Sequence, residues 1–361
     1  MKNIIVFPGS FDPVHNGHLL MAEKASVLLN ADVIFVPAVI SVWKDESAPF
    51  IDKVNMLKLS TRNYPRFFVS DYEGTTGKSI NYSIETMKHF KEVYKDDNLY
   101  LLIGEDQVNQ FHKWKDADEL AKIARIIFFE RPEIEMDKEN VNRFNMLEIE
   151  GIPYDASSSE IRTLTNLRTP IEVIDYIAHQ NLYYMKKISS ILSKDRLNHS
   201  LEVAKLARLI AFSNEIDISS AYIAGLLHDV GKDIEKEEQN KIMLINYPEY
   251  MDLPKFSYHQ FVGEHIAKEI FNVKDEEVLD AIKFHATGKV NMSPLGKIIY
   301  ASDKIEPTRG FDSSDLIKGC LHNYEKGFVD VLDANRIYLL ENKKDIENRL
   351  TKSCFDQYLD L

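Results

Sequence analysis

The first 130 residues alternate short apolar runs with amphipathic stretches. Residues 4–7, 33–36, 66–70, 99–103 and 125–129 have the length and the branched or aromatic content of buried strands. Between them, residues 17–30, 51–63, 80–95 and 116–123 repeat apolar positions at helical spacing, with Leu19, Leu20, Ala22, Ala25, Leu28 and Leu29 in the first. Such alternation predicts a parallel sheet covered by helices, with ligands at the carboxyl ends of the strands. After about residue 187 the texture changes. Residues 197–212, 219–227, 260–271 and 276–285 read as amphipathic helices, and strand alternation stops. The pattern predicts an α/β domain over 1–187 and an all-α domain over 188–361, in line with the length prior for 361 residues. No internal repeat or low-complexity tract interrupts it.

Composition adds little to the class: 44% hydrophobic and 28% charged residues are ordinary for a globular chain. Charge adds more. A formal net charge of -13 argues against general affinity for nucleic-acid backbone. Phosphates, if bound, must then be met by local cations, helix starts or metal. Only Cys320 and Cys354 occur, so a disulfide framework is not expected and a reducing compartment fits. The start Met1-Lys2-Asn3-Ile4 opens no signal-like apolar stretch, and no run reaches membrane-spanning length. The expectation is a cytoplasmic protein with no membrane or nucleic-acid partner, and with homo-oligomerisation left open.

Chemistry concentrates where the first strand ends. Gly9-Ser10-Phe11-Asp12-Pro13-Val14-His15-Asn16-Gly17-His18 places two histidines, three apart, at the start of a helix. Side chains three apart share a face, and a helix start offers free N–H groups and positive potential to phosphate. Further candidates fall beyond other strands: Lys44, Gly104, Asp106 and Arg131. Ser157-Ser158-Ser159-Glu160-Ile161-Arg162 has capping-box spacing, presents hydroxyls at a helix start and adds a guanidinium one turn later.

The histidine spacing resembles the HxGH signature of the nucleotidyltransferase superfamily. Over residues 1–185 the chain is similar to bacterial nicotinate-nucleotide adenylyltransferases. The likeness rests on Gly9 to His18, Ile103-Gly104-Glu105-Asp106-Gln107 with Trp114, Glu130-Arg131-Pro132, residues 157–162, Tyr176-Ile177 with Leu182-Tyr183, and Asn81-Tyr82-Ser83-Ile84-Glu85-Thr86. The resemblance implies a Rossmann-like nucleotidyltransferase domain. His15, His18, Ser158 and Arg162 would then handle ATP phosphates, with Lys44 as a further cation. Tyr82, Thr86 and Trp114 would help form the acceptor pocket, the indole stacking on a pyridine ring. Gly9, Ser10, Phe11, Gly104, Asp106, Arg131 and Ser159 complete the expected substrate contacts. The acceptor is expected to be nicotinate mononucleotide, its phosphate oxygen attacking the α-phosphorus of Mg²⁺-bound ATP and releasing pyrophosphate. Two departures bear on the acceptor: Ser41-Val42-Trp43-Lys44 replaces the usual Pro-Pro-His-Lys, and Lys53 stands where arginine is common. Nicotinamide mononucleotide and phosphopantetheine are the alternatives.

In the second half, His199, His228, Asp229, His259, His285 and Asp303 form an ordered set of metal-ligand types. Neutral imidazole and carboxylate suit iron, manganese or zinc. Six ligands exceed one tetrahedral site and suit two ions that share a carboxylate. His265, six residues beyond His259, falls on another helix face. The set resembles the HD phosphohydrolase superfamily. Asp195-Arg196-Leu197-Asn198-His199-Ser200, His228-Asp229-Val230-Gly231-Lys232, residues 281–288 and residues 301–309 are similar to bacterial HD-type symmetrical diadenosine-tetraphosphate hydrolases, over about 190–355. That implies an all-α HD-type domain with two divalent or iron-type metal ions, cutting diadenosine tetraphosphate to two ADP. Asp229 and Lys232 would serve catalysis, with Lys232, Arg196 and Arg309 neutralising polyphosphate. The alternative is an HD domain that senses nucleotide without hydrolysis. Residues 234–255 carry no assignable chemistry.

Overall fold

The computed structural model describes residues 1–39, 47–129, 137–151 and 156–359. They form two compact units, Met1–Arg162 with Leu167–Tyr183, and Thr163–Asn166 with Tyr184–Leu361.

The first unit is built on six strands: β1 (Asn3–Gly9), β2 (Ala31–Pro37), β3 (Phe67–Val69), β4 (Asn98–Ile103), β5 (Arg125–Phe129) and β6 (Leu147–Ile149). They form one sheet in the order β3-β2-β1-β4-β5-β6, and every neighbouring pair is parallel. Ile4, Ile5, Val6 and Phe7 are all buried, because helices cover both faces; this is why the strand reads as a solid apolar run rather than an alternating one. The chain winds outward from β1 in both directions, which puts a topological switch point between β1 and β4. Pairing there ends at Val6 with Leu101, although β1 runs on to Gly9 and β4 to Ile103. The two carboxyl ends therefore open into a crevice. The sequence pattern did not reveal β6, whose three residues at the sheet edge are too short to register as a run.

Among the described residues, the second unit holds helices and no strand. The segment expected as an amphipathic helix at 219–227 forms Ile218–Leu227, but every residue from Ala221 to Leu227 is buried. It is the central helix, enclosed all round, so its pattern is not two-faced. Gly225 lets it cross Lys194–Ser213 closely: a Cβ there would lie 2.7 Å from Ala204 Cα. Helices Tyr258–Glu269 and Pro294–Ile305 carry His259 and Asp303, and His285 lies just past the helix Glu276–Lys283. Helices Tyr324–Glu341 and Arg349–Tyr358 close a smaller core around Tyr300, Phe328, Leu332 and Cys354. Residues 234–255 contribute the helix Lys236–Asn246 and the short 3-10 turn Pro248–Tyr250. Cys320 and Cys354 are buried free thiols. No described helix is long and apolar enough to cross a membrane.

Candidate active sites

The crevice beyond β1 and β4 is a cleft of about 470 Å³. His15 caps the helix Asn16–Leu29, and the two predicted histidines cap it reciprocally. The His18 N–H donates to His15 Nδ1 (3.3 Å), and the His15 N–H donates to His18 Nδ1 (3.2 Å). The rings stack with centroids 3.5 Å apart. An imidazole whose Nδ1 accepts a backbone proton carries its own proton on Nε2. Both rings thus present an Nε2–H, a donor suited to phosphate oxygen. Phe11 supports them from below, buried, with its ring edge-on to His18 at 5.0 Å.

The serine-rich segment folds onto this loop. Ser157 and Glu160 form the expected capping box, with Ser157 Oγ 3.0 Å from Glu160 Oε2 and 3.2 Å from the Glu160 N–H. Ser158 Oγ donates to the Pro13 carbonyl (2.8 Å), and Arg162 donates to the Asp12 carbonyl (2.6 Å). Two predicted phosphate contacts are therefore tied to the backbone just ahead of His15. Ser159 is exposed. Asp12 is itself buried and accepts from the Ala48 N–H (3.0 Å) and the Tyr183 hydroxyl (2.7 Å).

Gly9, Ser10, Phe11, Gly104, Asp106 and Trp114 all line the cleft. Asn81 and Ser83 also line the cleft, whereas Tyr82, expected in the acceptor pocket, is 46% exposed beneath the Lys115 ammonium. Thr86 is buried and gives its hydroxyl to Glu73 Oε1 (2.9 Å). Glu73 was not singled out from the sequence. It lines the cleft, and burial pushes its carboxyl up to about 7 against the pull of Thr86 and Lys53. Lys53 is fully buried and donates to the carbonyls of Ala38 (2.7 Å) and Val39 (3.2 Å), so it holds the loop that follows β2. Lys44 and Arg131, with Trp43, lie outside the described residues.

In the second unit the six predicted ligands meet. Three imidazoles donate Nδ1–H to the carbonyl three residues earlier, each at 2.7 Å: His228 to Gly225, His259 to Phe256 and His285 to Ile282. His199 instead donates Nδ1–H to Glu306 Oε1 (3.0 Å). With every Nδ1 engaged, the four Nε2 atoms turn inward. His199 and His228 bring theirs to 3.3 Å, His259 and His285 to 3.2 Å. Asp303 Oδ1 joins the first pair at 3.2 and 3.6 Å. Asp229 Oδ1 joins the second at 3.3 and 3.5 Å, while its Oδ2 faces His228 at 3.8 Å and His199 at 4.0 Å. Asp229 thus spans two donor groups, as a bridging carboxylate must.

The donor set fits metal. Separations near 3.3 Å are those of neighbouring corners around an ion with bonds of about 2.1 Å. Burial pushes His285 down to about 3 and lowers His259, which keeps both rings neutral as ligands. Burial opposes ionisation of Asp229 and Asp303, yet the imidazoles around both, with Lys304 beside Asp303, hold the two carboxyls well below the usual range. Gly231 brings the turn after His228 onto the helix Tyr258–Glu269: a Cβ there would collide with the His259 carbonyl and the Gly263 N–H. At the rim, Arg196 donates to Asp229 Oδ2 (2.8 Å), Lys232 Nζ lies 3.3 Å from His259 Nε2, and Arg309 contacts Asp303.

Sequence reasoning passed over Glu306 and Gly263. Glu306 sat inside a quoted stretch and offered only its acidity as a signal; its partner is 107 residues away.

Sheet order, imidazole-capped helix and convergent histidines define the class: a nucleotidyltransferase-type unit joined to a metal-binding HD domain. Residues 6–164 match the cytidylyltransferase-like family and residues 196–308 the HD domain. A Mycoplasma genitalium protein named "Probable nicotinate-nucleotide adenylyltransferase/Ap4A hydrolase" is 31% identical over 92% of this chain and 97% of its own length. The chain belongs to that family. A nicotinate-nucleotide adenylyltransferase of Aquifex aeolicus, also named probable, is 45% identical over 35% of this chain and 76% of its own. The crystal structure of an HD superfamily hydrolase ascribed to NAD metabolism, from Clostridium acetobutylicum, is 30% identical over 48% of this chain and 96% of its own, with a TM-score of 0.44.

Proposed function

We propose that the chain is a bifunctional enzyme. Residues 1–187 transfer the adenylyl group of ATP to nicotinate mononucleotide, giving deamido-NAD and pyrophosphate. Residues 188–361 hydrolyse diadenosine tetraphosphate symmetrically to two ADP. One observation supports the reading: each unit has its own centre suited to phosphate chemistry, the paired imidazoles of His15 and His18 at a helix start in one and the metal-ligand set around the spanning Asp229 in the other. Relatives aligned along nearly the whole chain carry both activities in their names.

In the first unit, His15 and His18 donate to the triphosphate, and Arg162 adds the donors not used on the Asp12 carbonyl. Lys44 and Arg131 stand as further cations. Trp114 stacks on the pyridine ring. Mg²⁺ carried with ATP supplies charge neutralisation at the phosphates. No covalent enzyme intermediate is needed; the residues align the acceptor oxygen with the α-phosphorus.

In the second unit, His199, His228 and Asp303 would hold one ion and His259 and His285 a second, with Asp229 available to both. When bound, two divalent or iron-type ions supply a water of lowered pKa and a clamp on the phosphoryl oxygens. Arg196 orients Asp229, while Lys232 and Arg309 face the polyphosphate.

The test uses the full chain. His18→Ala is expected to lower adenylyl transfer at least about 100-fold while diadenosine tetraphosphate hydrolysis continues. Asp229→Asn is expected to do the reverse. Either variant keeping its own reaction at the wild-type rate defeats that half of the proposal.

A further inference from the structure

A further cleft, of about 390 Å³, lies in the second unit beside Asp303 and shares only Arg309 with the rim of the metal centre described above. The helix Tyr324–Glu341 presents Val331, Ala334, Asn335 and Tyr338 to it at helical spacing, and Leu316 and Ile305 help form its apolar floor. Its aromatic side chains are unusually open: Phe311 is 51% exposed and Tyr338 57%. Its volume lies within the range of small-molecule sites, about 300–1,000 Å³.

Charge decides what it suits. In a chain of net charge -13, this cleft is lined by two cations and by no carboxylate. Both cations point the way to the metal ligands. Lys304 donates to Asp303 Oδ2 (2.6 Å) and to the His285 carbonyl (3.4 Å); Arg309 donates to the Asp303 carbonyl (2.8 Å) and to its carboxylate. The larger cleft of the same unit also has two cations, Lys283 and Lys289, but sets four carboxylates against them, Glu264, Glu276, Glu277 and Asp280, so its lining is net acidic and suits polyphosphate less. Asn335 donates Nδ2 to the Tyr300 hydroxyl (2.9 Å), which leaves its carbonyl oxygen to accept from an exocyclic amine.

The geometry points to a nucleoside subsite. One adenosine half of the substrate seats its base against Phe311 and Tyr338, and its phosphates pass Lys304 and Arg309 to reach Asp303. Base-on-aromatic stacking supplies the affinity, the two cations set the direction, and Asn335 favours adenine. The inference deepens the hydrolase reading and rests on it for the identity of the substrate.

The experiment is photolabelling of the metal-free full chain with 8-azido-ADP, followed by peptide mapping, beside hydrolysis kinetics of the metal-loaded enzyme. Label is expected on peptides containing Phe311 or Tyr338, suppressed by excess ADP and lost in the double variant Phe311→Ala/Tyr338→Ala. That variant is expected to raise KM for diadenosine tetraphosphate about tenfold or more, with kcat kept within about threefold, while Tyr338→Phe keeps the wild-type KM. Unchanged label and unchanged KM in the double variant overturn the subsite and leave the hydrolase reading standing. Label at these peptides in a chain that hydrolyses no diadenosine tetraphosphate supports the subsite and overturns the hydrolase reading.

Discussion

Glu306 Oε1 lies 3.0 Å from His199 Nδ1 and fixes which nitrogen of that ring faces the metal centre. The carboxylate is itself held by the Thr308 N–H (2.6 Å) and hydroxyl (2.8 Å). Partners of this kind orient a ligand and raise its basicity. Glu306→Leu is expected to weaken metal binding by about 10–100-fold, and Glu306→Gln, which keeps an acceptor oxygen, by clearly less. Calorimetric metal titration of the demetallated chain reads both. Equal affinity in Glu306→Leu and wild type would mean that His199 needs no such partner.

Gly231→Ala tests the close approach behind His228. Its Cβ would meet the His259 carbonyl and the Gly263 N–H, both backbone and neither able to rotate away. The expected cost is about 1–3 kcal/mol of stability in the second unit, with weakened metal binding because His259 is pushed outward. Metal stoichiometry and the thermal transition of the second unit report it. Full stoichiometry at the wild-type transition would show that the turn has room to spare.

Glu73 gives the first unit a pH signature. Its folded carboxyl sits near 7, above the ordinary 4.5, so the folded state holds more protons across that window than the unfolded chain does. Stability therefore falls as pH rises from about 4.5 to 7, and levels off above. Glu73→Gln removes this slope, so the variant is expected to gain on wild type between pH 5 and 8 by about 1–3 kcal/mol. Both tryptophans, Trp43 and Trp114, lie in the first half, so urea unfolding followed by their fluorescence isolates that unit. Parallel pH profiles for the two proteins would count against a buried, protonated Glu73.

Both centres were legible in the sequence for different reasons. The His15–His18 pair announces itself because its role is local: strand end, turn and helix start fall within ten residues. The metal ligands are spread over more than a hundred residues, but they are rare residue types in a recognisable order, and their resemblance to the HD pattern assembled them. What escaped was set by long-range partners. Glu73 is an ordinary surface-like acid until Thr86 and Lys53 close around it. Gly263 matters only through the backbone of Gly231 and His228. Strand β6 owes its existence to β5 alongside it, not to any apolar run of its own.

The rings of His228, His259 and His285 are each steered by a carbonyl of their own local turn. Their aim is set locally, by atoms three residues away rather than by distant elements. Those rings would therefore meet an ion already aimed, and a bound ion would tie together the helices that carry them. A change that slid one helix axis by a fraction of an ångström would carry its imidazole along as a rigid body. The spacing of the helices, rather than side-chain rotation, would then set the room left for an ion.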